Sequence, residues 1–300
     1  MDPIGLACCL LATVCWAIGP VFLRKSLDTF DNTEINAVRS IGTVAVSAFA
    51  CFIFNPSFLA WKYGIGALAA VFIMMFLGNI VGDLLFLVAI DNIGVGRTLS
   101  TANSYPVFVS LFSAYWLGET LSLKLLAGTG IIVAGLVLLN CSKKSSLPPS
   151  EKARSNTLGF SLAIITSVLW ALSLTIQKWA LTAYHIDASS FIFWRGLMLG
   201  FTVWGFWYFR KGSEGRRQIF NAGFKKWLSP ILAGAFSLAI GGIAFARALE
   251  TVPVSMASPI TASNPVIAAV IARFAFNERL TPLQWFGIVM VIVGGIEVSA

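Results

Sequence analysis

Charged residues are scarce in this 300-residue chain, at 11%, whereas 57% of its residues are hydrophobic. A soluble domain carries about 25% charged residues and could not bury so large an apolar surface. The mean hydropathy of +0.83 instead fits a chain whose surroundings are the apolar core of a bilayer. The scarcity of charge therefore excludes an ordinary soluble fold and predicts an integral membrane protein.

Metal-binding residues are also scarce. The chain has one histidine, His185, and five cysteines that lie mostly in apolar runs without CxxC spacing. We therefore expect the cysteines to be small packing residues, and we predict no metal site and no cofactor. The net charge of +8 does not indicate a nucleic-acid partner, because the Lys and Arg residues lie in short loops between apolar runs.

Ten apolar runs are present, each long enough to cross a bilayer as a helix. No basic segment precedes the first run, so we expect a retained span and not a cleaved signal peptide. The predicted spans are Ile4–Leu23, Ile35–Phe54, Gly64–Ile90, Val95–Leu117, Leu121–Asn140, Leu158–Leu181, Ser189–Phe209, Leu228–Leu249, Val254–Phe276 and Pro282–Val298. The polar stretch 142–157 separates five spans from five, which predicts a repeat over 1–141, a cytoplasmic linker and a second repeat over 158–300.

The two halves also match residue by residue. A shift of 159 positions places Pro265 on Pro106 and Glu278 on Glu119, and a shift of 154 places Trp170 on Trp16. Because five is odd, the second copy must cross the membrane in the opposite sense to the first. The predicted fold class is therefore an all-α integral membrane protein of ten transmembrane helices, arranged as two inverted five-helix repeats.

Lys and Arg residues are concentrated in the loops that follow the odd-numbered spans, as in Arg24–Lys25 and Arg216–Arg217. The positive-inside rule then predicts that these loops are cytoplasmic and that both termini are outside. We expect a multi-pass protein of the cell membrane.

These features together resemble a known family. Each half has a tryptophan in its first span, a proline-interrupted fourth span and a turn before a glycine-rich fifth span, Gly118-Glu119-Thr120-Leu121 and Asn277-Glu278-Arg279-Leu280. The chain resembles, over essentially its whole length, the tandem EamA-domain transporters of the drug/metabolite transporter superfamily. The resemblance implies a central cavity lined by the first, third and fourth spans of each half, and alternating access by rocking and bending. The four-helix multidrug relatives carry an acidic residue within their first helix, and the first span of neither half has one here. We therefore do not expect this chain to exchange drug cations for protons by the mechanism of those relatives.

Two charged residues in the spans are candidates for substrate binding or coupling. Asp83 lies well inside the third span, where an ionised carboxylate costs at least a few kcal/mol unless it is paired or hydrated. It could exchange a proton during transport or bind a substrate ammonium; the structural alternative is an ion pair with Arg247 or Arg273. Arg247, near the end of the eighth span, could meet an anion or extend to the surface. For Arg39 and Arg195, near the starts of their spans, we expect surface extension or bonds to helix ends.

Further candidates occupy corresponding places in the two halves. A tryptophan midway along each first span indicates a cavity wall or a packing contact with a bonded indole N–H. An asparagine precedes the proline of each fourth span, where a broken helix exposes carbonyls and the proline could act as a hinge or an ordinary kink. These residues are Trp16, Trp170, Asn103, Asn264, Pro106 and Pro265.

The sequence therefore predicts a secondary active transporter of small polar metabolites, such as amino acids or related compounds, working by alternating access as an exporter. The alternatives are a nucleotide-sugar or drug transporter of the same superfamily, or a membrane-embedded lipid-modifying enzyme. No ATP-binding motif is present, so an ion or substrate gradient is the expected driving force and protons are a candidate coupling ion. The expected partners are the substrate and the bilayer, and the protein is expected to be a monomer or homodimer.

Overall fold

The computed structural model describes residues 2–24, 30–55, 62–141, 156–212, 219–275 and 280–299. Ten long helices occur within these ranges. They are α1 (Pro3–Arg24), α2 (Asn32–Phe54), α3 (Gly64–Ile93), α4 (95–117), α5 (Leu123–Cys141), α6 (Asn156–Ala183), α7 (Ala188–Arg210), α8 (Phe224–Thr251), α9 (254–275) and α10 (Pro282–Ser299). Most of the predicted linker, 142–155, and the turn at 276–279 lie outside the described residues, and 156–157 belong to α6.

Each helix corresponds to one predicted span, with ends that agree within four residues. By length and composition, seven helices in the described ranges can cross a membrane, and Pro3–Gly19 forms a shorter apolar helix. The prediction of an all-α integral membrane protein is confirmed.

Local sequence signals fix several helix ends. Asp31 and Glu34 form a capping box at the start of α2, and the Asp187 side chain accepts from Ser190 N at the start of α7. Gly94 follows α3 with φ of 81°, a backbone conformation that residues with a Cβ rarely adopt. Short polar sequences are therefore enough to begin and end these apolar helices.

The fourth helix of each repeat is interrupted. In α4 the segments Val95–Ala102 and Tyr105–Phe112 are separated by a turn, and in α9 the segments Val254–Ala262 and Asn264–Ala275 are separated at Ser263. The turns lie two residues before Pro106 and Pro265, which have no N–H to continue the helical hydrogen bonds. Each proline is therefore the second residue of the second segment, in the first turn, where a missing N–H breaks no helical hydrogen bond.

The third helix of each repeat contains a wide turn. Residues Phe76–Gly82 of α3 and Gly234–Ile240 of α8 are π-helical. The Asp83 N–H bonds to Gly78 O and the Gly241 N–H to Phe236 O, five residues earlier in each case. Such wide turns occur frequently at functional sites.

The chain forms two compact units that do not coincide with the sequence repeats. The first unit comprises 1–6, 73–179 and 251–300, and the second comprises 7–72 and 180–250. Each unit therefore takes helices from both repeats, and the repeat boundaries remain a prediction about sequence.

In the first unit, α5 and α10 pack through paired glycines. A Cβ at Gly135 would lie 2.7 Å from Gly287 O, and a Cβ at Gly287 would lie 2.6 Å from Gly135 O. Gly128 and Gly294 make the same reciprocal contact at 2.9 and 2.7 Å. The seven-residue glycine spacing thus joins the fifth helix of one repeat to the fifth helix of the other.

In the second unit, α2 packs against α7 and α8. A Cβ at Gly234 would overlap Arg39 O, and one at Gly196 would lie 3.1 Å from Thr43 Cγ2. This unit also has an apolar cluster, whose buried members are Phe30, Ile35, Val38, Trp207 and Ile219. Small residues thus allow its helices to approach closely, and large residues form its apolar cluster.

Candidate functional site

The central contact of the first unit joins Asp83 of α3 to Trp170 of α6. The indole Nε1 of Trp170 donates to Asp83 Oδ1 at 3.0 Å. Asp83 directly follows the π-helical turn, and the preceding Gly82 makes room for the indole: a Cβ there would lie 3.0 Å from Trp170 Cδ1 and Nε1. An indole N–H is a neutral donor, so this bond holds the carboxylate in place without neutralising its charge.

Two aromatic rings pack against the Trp170 ring. Phe86, one turn after Asp83, lies 5.2 Å from the Trp170 ring between centroids, and Tyr105 meets it edge-on at 6.2 Å. Tyr105 is 7% exposed, and its hydroxyl donates to Ser258 O in α9 at 3.4 Å. A carboxylate beside aromatic rings is a combination that can recognise a cation.

Polar side chains of the first unit lie at the break in α4 and in the first segment of α9. Ser104 Oγ lies 3.1 Å from Ser167 Oγ of α6. The amide nitrogen of Asn103 and the hydroxyl of Ser258 are buried without a hydrogen-bond partner among the described residues. Buried polar atoms are nearly always bonded, so these two indicate a place for water or a bound polar molecule.

The second unit repeats this arrangement without the carboxylate. The Trp16 Nε1 donates to Ser237 O of α8 at 3.0 Å, and its ring lies 5.2 Å from that of Phe245. The shift of 159 that aligns the prolines also places Phe245 on Phe86 and Gly242 on Asp83. The indole contacts are therefore duplicated, whereas the acid belongs to the first repeat alone.

Two further predicted residues have other surroundings. The side chain of Arg247 is 63% exposed in the second unit and pairs with Glu250 at 2.7 Å. Asn264 begins the second segment of α9 and is partly buried. The structure thus brings together two of the predicted residues, Asp83 and Trp170, whose role in binding remains a prediction.

Sequence reasoning missed several contributors to this region, among them Phe86, Tyr105, Ser167 and Ser258. Tyr105 could have been found, because the shift of 159 places it opposite Asn264. Ser258 and Ser167 had no distinguishing signal in the sequence. In the described part of the chain, no three His, Cys, Asp or Glu side chains lie close enough to hold a metal ion.

The long apolar helices define the class of multi-pass membrane proteins. A family model described as the EamA-like transporter family matches residues 3–141 and again residues 157–299. The chain belongs to this family and carries the domain twice. It is therefore a membrane transporter of the drug/metabolite transporter superfamily and a multi-pass protein of the cell membrane, as the sequence resemblance implied.

Relatives and a solved structure extend this finding. One relative, from Pseudomonas fluorescens and described as a probable 4-amino-4-deoxy-L-arabinose-phosphoundecaprenol flippase subunit ArnE, is 41% identical over 71 residues, 23% of this chain and 62% of the relative. A relative of the same description from Pectobacterium atrosepticum is 28% identical over 64 residues, 21% of this chain and 57% of the relative. The chain thus matches less than two thirds of these relatives. A crystal structure with 14% identity covers 98% of this chain and 96% of its own, with a TM-score of 0.80, and shares the fold.

Proposed function

We propose that this protein is a secondary active transporter of small polar metabolites that carry an ammonium group, and that it exports them by alternating access. The contact between Asp83 and Trp170 is the observation that carries this proposal, because it fixes a carboxylate in the middle of a membrane-spanning helix. The amino acids and related compounds expected from the sequence have the required ammonium group.

The surroundings of the carboxylate support recognition of a cation. An ammonium group next to Asp83 would meet the carboxylate and the rings of Trp170 and Phe86, which lie against each other. The attraction of a cation for an aromatic face contributes about 0.5–2 kcal/mol, and the low dielectric of the span strengthens the charge pair. The buried, unpartnered Asn103 amide supplies a donor for a polar group of the substrate.

The same carboxylate could couple transport to protons. A proton and an ammonium group would compete for the same carboxylate, so binding of the substrate and binding of the proton would exclude each other. This competition is the simplest form of exchange between a substrate and a coupling proton. The wide turn before Asp83 and the broken α4 are the elements whose bending would expose the site alternately to the two sides.

A second candidate function is transfer of a lipid-linked amino sugar across the membrane. The matched relatives are described as subunits of a flippase for an amino-sugar lipid. Such a substrate also carries an ammonium group, so the Asp83 carboxylate suits it by the same chemistry. The two candidates differ in whether the transported molecule has a lipid tail.

A counterflow experiment in proteoliposomes tests both candidates. The panel contains amino acids, free amino sugars and an undecaprenyl-phosphate-linked amino sugar, and each is measured across pH for the wild type, Asp83→Asn and Asp91→Asn. Asp91 is an exposed acid of the same helix, so its substitution is a matched control. We expect saturable counterflow of at least one amino compound, with a pH dependence that Asp83→Asn abolishes and Asp91→Asn preserves.

The possible results separate the candidates. Counterflow of free amino compounds alone supports the metabolite transporter, and movement of the lipid-linked sugar alone supports the second candidate. Counterflow unaffected by Asp83→Asn would give that carboxylate a structural role. No movement of any amino compound would contradict the proposed substrate class.

A further inference from the structure

The guanidinium of Arg195 is a buried cation in the second unit that the proposed transport site does not use. Arg195 lies two turns into α7, is 9% exposed, and its Nη2 donates to Leu238 O at 3.0 Å. Leu238 lies in the π-helical turn at the middle of α8. The side chain thus points along the interior of the unit and does not extend to the surface, contrary to our expectation from the sequence.

Most of the donors of this guanidinium are available for a ligand. Within the described residues, the guanidinium makes the one hydrogen bond to Leu238 O, whereas an arginine has five N–H donors. Some side-chain nitrogens in the described ranges are fully buried and have no hydrogen-bond partner, but none of them belongs to Arg195. The donors of Arg195 that make no hydrogen bond therefore keep some accessible surface.

A glycine makes room for the guanidinium. A Cβ at Gly242 would lie 2.9 Å from Arg195 Nη2 and 3.2 Å from Ile192 Cδ1. Gly242 occupies the position that matches Asp83 under the shift of 159. Where the first repeat carries a carboxylate, the second repeat has no side chain and a positive charge lies against the backbone.

No carboxylate described in this unit neutralises that charge. Each acidic residue in the described part of the second unit has a polar partner elsewhere: Asp31 and Glu34 with Lys211, Asp187 with Asn55 and Tyr63, and Glu250 with Arg247. A charged side chain in a membrane-spanning segment is costly when it is unpaired, and such residues commonly mark ligand pathways. The described residues of this unit therefore leave the positive charge without a counter-charge, which an anionic ligand would supply.

We propose that Arg195 binds the oxyanion of a ligand, a phosphate or a carboxylate, in the second unit. The planar guanidinium can donate two parallel hydrogen bonds to either group while Nη2 keeps its bond to Leu238 O. The oxyanion belongs either to a water-soluble metabolite or to a lipid headgroup. This site stands on contacts that are separate from Asp83 and does not require the proposed transport function.

Equilibrium binding of radiolabelled inorganic phosphate to the purified full-length protein, in an uncharged detergent, tests the site. The variants are Arg195→Gln, Arg195→Lys and Gly242→Ala. The control Arg210→Gln removes an exposed arginine from the end of the same helix. Size-exclusion profiles and thermal unfolding establish that each variant is folded.

We expect saturable binding that Arg195→Gln weakens at least tenfold. Arg195→Lys keeps the charge but lacks the planar pair of donors, so it should weaken binding about threefold to tenfold. Gly242→Ala should also weaken binding, because its methyl group displaces Nη2, whereas Arg210→Gln should bind as the wild type does. No saturable binding by the wild type would overturn the proposal. So would equal losses in the Arg195 and Arg210 variants. If Arg195→Gln does not fold, the other two variants decide: binding of phosphate with wild-type affinity by both Arg195→Lys and Gly242→Ala would overturn the proposal.

A second probe identifies the source of the oxyanion. Short-chain phosphatidic acid competes with labelled phosphate if the site accepts a lipid headgroup, and acetate competes if it accepts a carboxylate. Competition by either probe that is lost in Arg195→Gln supports the site and names its ligand class. Neither measurement involves transport, so a failure of the transport proposal would leave this result interpretable.

Discussion

The indole of Trp16 lies so close to Gly241 that a Cβ at this glycine would be 2.9 Å from Cδ1 and Nε1. In the first unit, Trp170 contacts Gly82 in the same way at 3.0 Å. The two indoles are therefore positioned alike, and they differ in the group that accepts from Nε1. For Trp16 the acceptor is a backbone carbonyl, and for Trp170 it is a carboxylate that can change its charge.

This difference predicts unequal effects of the matched substitutions Trp16→Phe and Trp170→Phe. Both remove an indole N–H, but only Trp170→Phe removes a hydrogen bond to the Asp83 carboxylate. We expect Trp170→Phe to lower the rate of counterflow and to change its pH profile, because the carboxylate loses the bond that holds it in place. Trp16→Phe should leave that profile in place and lower stability by about 0.5–1.5 kcal/mol.

Counterflow across pH and thermal unfolding of the two variants check this expectation. Identical pH profiles in both variants would show that the bond to Asp83 has no part in coupling.

The helices were predictable from sequence because their apolar length and flanking polar residues are local properties. Pro106 and Pro265 also indicated the interruptions of α4 and α9, since a missing N–H acts on the turn that precedes it. The π-helical turns before Asp83 and Gly241 gave no such signal. Their register follows from packing against Trp170 and Trp16, which are far away in sequence.

The direction of long side chains was the least predictable feature. Arg195 was expected to extend to the surface or to a helix end, yet its guanidinium bonds to a carbonyl within α8. Glu119 lies in the turn before α5, yet its carboxylate caps the first segment of α9. In both cases the hydrogen-bond partner belongs to another helix, and the sequence does not show which helices pack against each other.

The glycine contact between α5 and α10 predicts that Gly135→Ala and Gly287→Ala are destabilising. The added methyl group would lie 2.7 or 2.6 Å from a backbone oxygen that cannot rotate away. Overpacking of this kind costs about 1–3 kcal/mol. Thermal unfolding of the purified variants in detergent measures the loss.

The same helices provide controls. Gly130 in α5 and Gly295 in α10 have nothing within 4 Å of an added Cβ. Gly130→Ala and Gly295→Ala should therefore unfold at or slightly above the wild-type temperature, because alanine favours the helix. A loss of stability as large as in the contact variants would argue against the reciprocal packing.

Asp187, at the start of α7 outside the spans, gives stability that depends on pH. Burial raises the pKa of this carboxylate, but hydrogen bonds from Ser189, Ser190 and Tyr63 outweigh burial and hold the pKa at about 2. Because the pKa in the folded state is below the unfolded value of about 3.9, the ionised carboxylate stabilises the fold above pH 4. This contribution is lost as the pH falls from about 4 toward 2.

Thermal unfolding of the wild type and Asp187→Asn between pH 2.5 and 8 tests this linkage. We expect a constant gap in unfolding temperature above about pH 5 and a narrowing gap below pH 4. Tyr63→Phe, which removes the donor 2.7 Å from Oδ2, should reproduce part of the gap. A gap of equal size at pH 2.5 and pH 7 would assign the effect to packing and not to charge.

Glu119 is expected to hold the beginning of α9. Its Oε1 accepts from Val254 N at 2.8 Å, and its Oε2 accepts from Ser255 N at 3.0 Å and from Ser255 Oγ at 2.6 Å. The first N–H groups of a helix have no partner within the helix, and the carboxylate accepts hydrogen bonds from two of them. Its negative charge also interacts favourably with the positive end of the helix dipole. Glu119→Ala removes all three bonds and should cost about 0.5–2 kcal/mol.

Hydrogen exchange measured by mass spectrometry locates this effect. We expect faster exchange of the amides at 254–256 in Glu119→Ala and a smaller change in Glu119→Gln, which keeps one carbonyl acceptor. Ser255→Ala is the matched control, because it removes the hydroxyl bond and leaves both backbone N–H groups bound to the carboxylate. If Ser255→Ala opened the helix start as much as Glu119→Ala does, the hydroxyl and not the capped backbone would be responsible. If exchange becomes faster only in the first turn of α9, and only in the Glu119 variants, the Glu119 carboxylate is what stabilises the start of this helix.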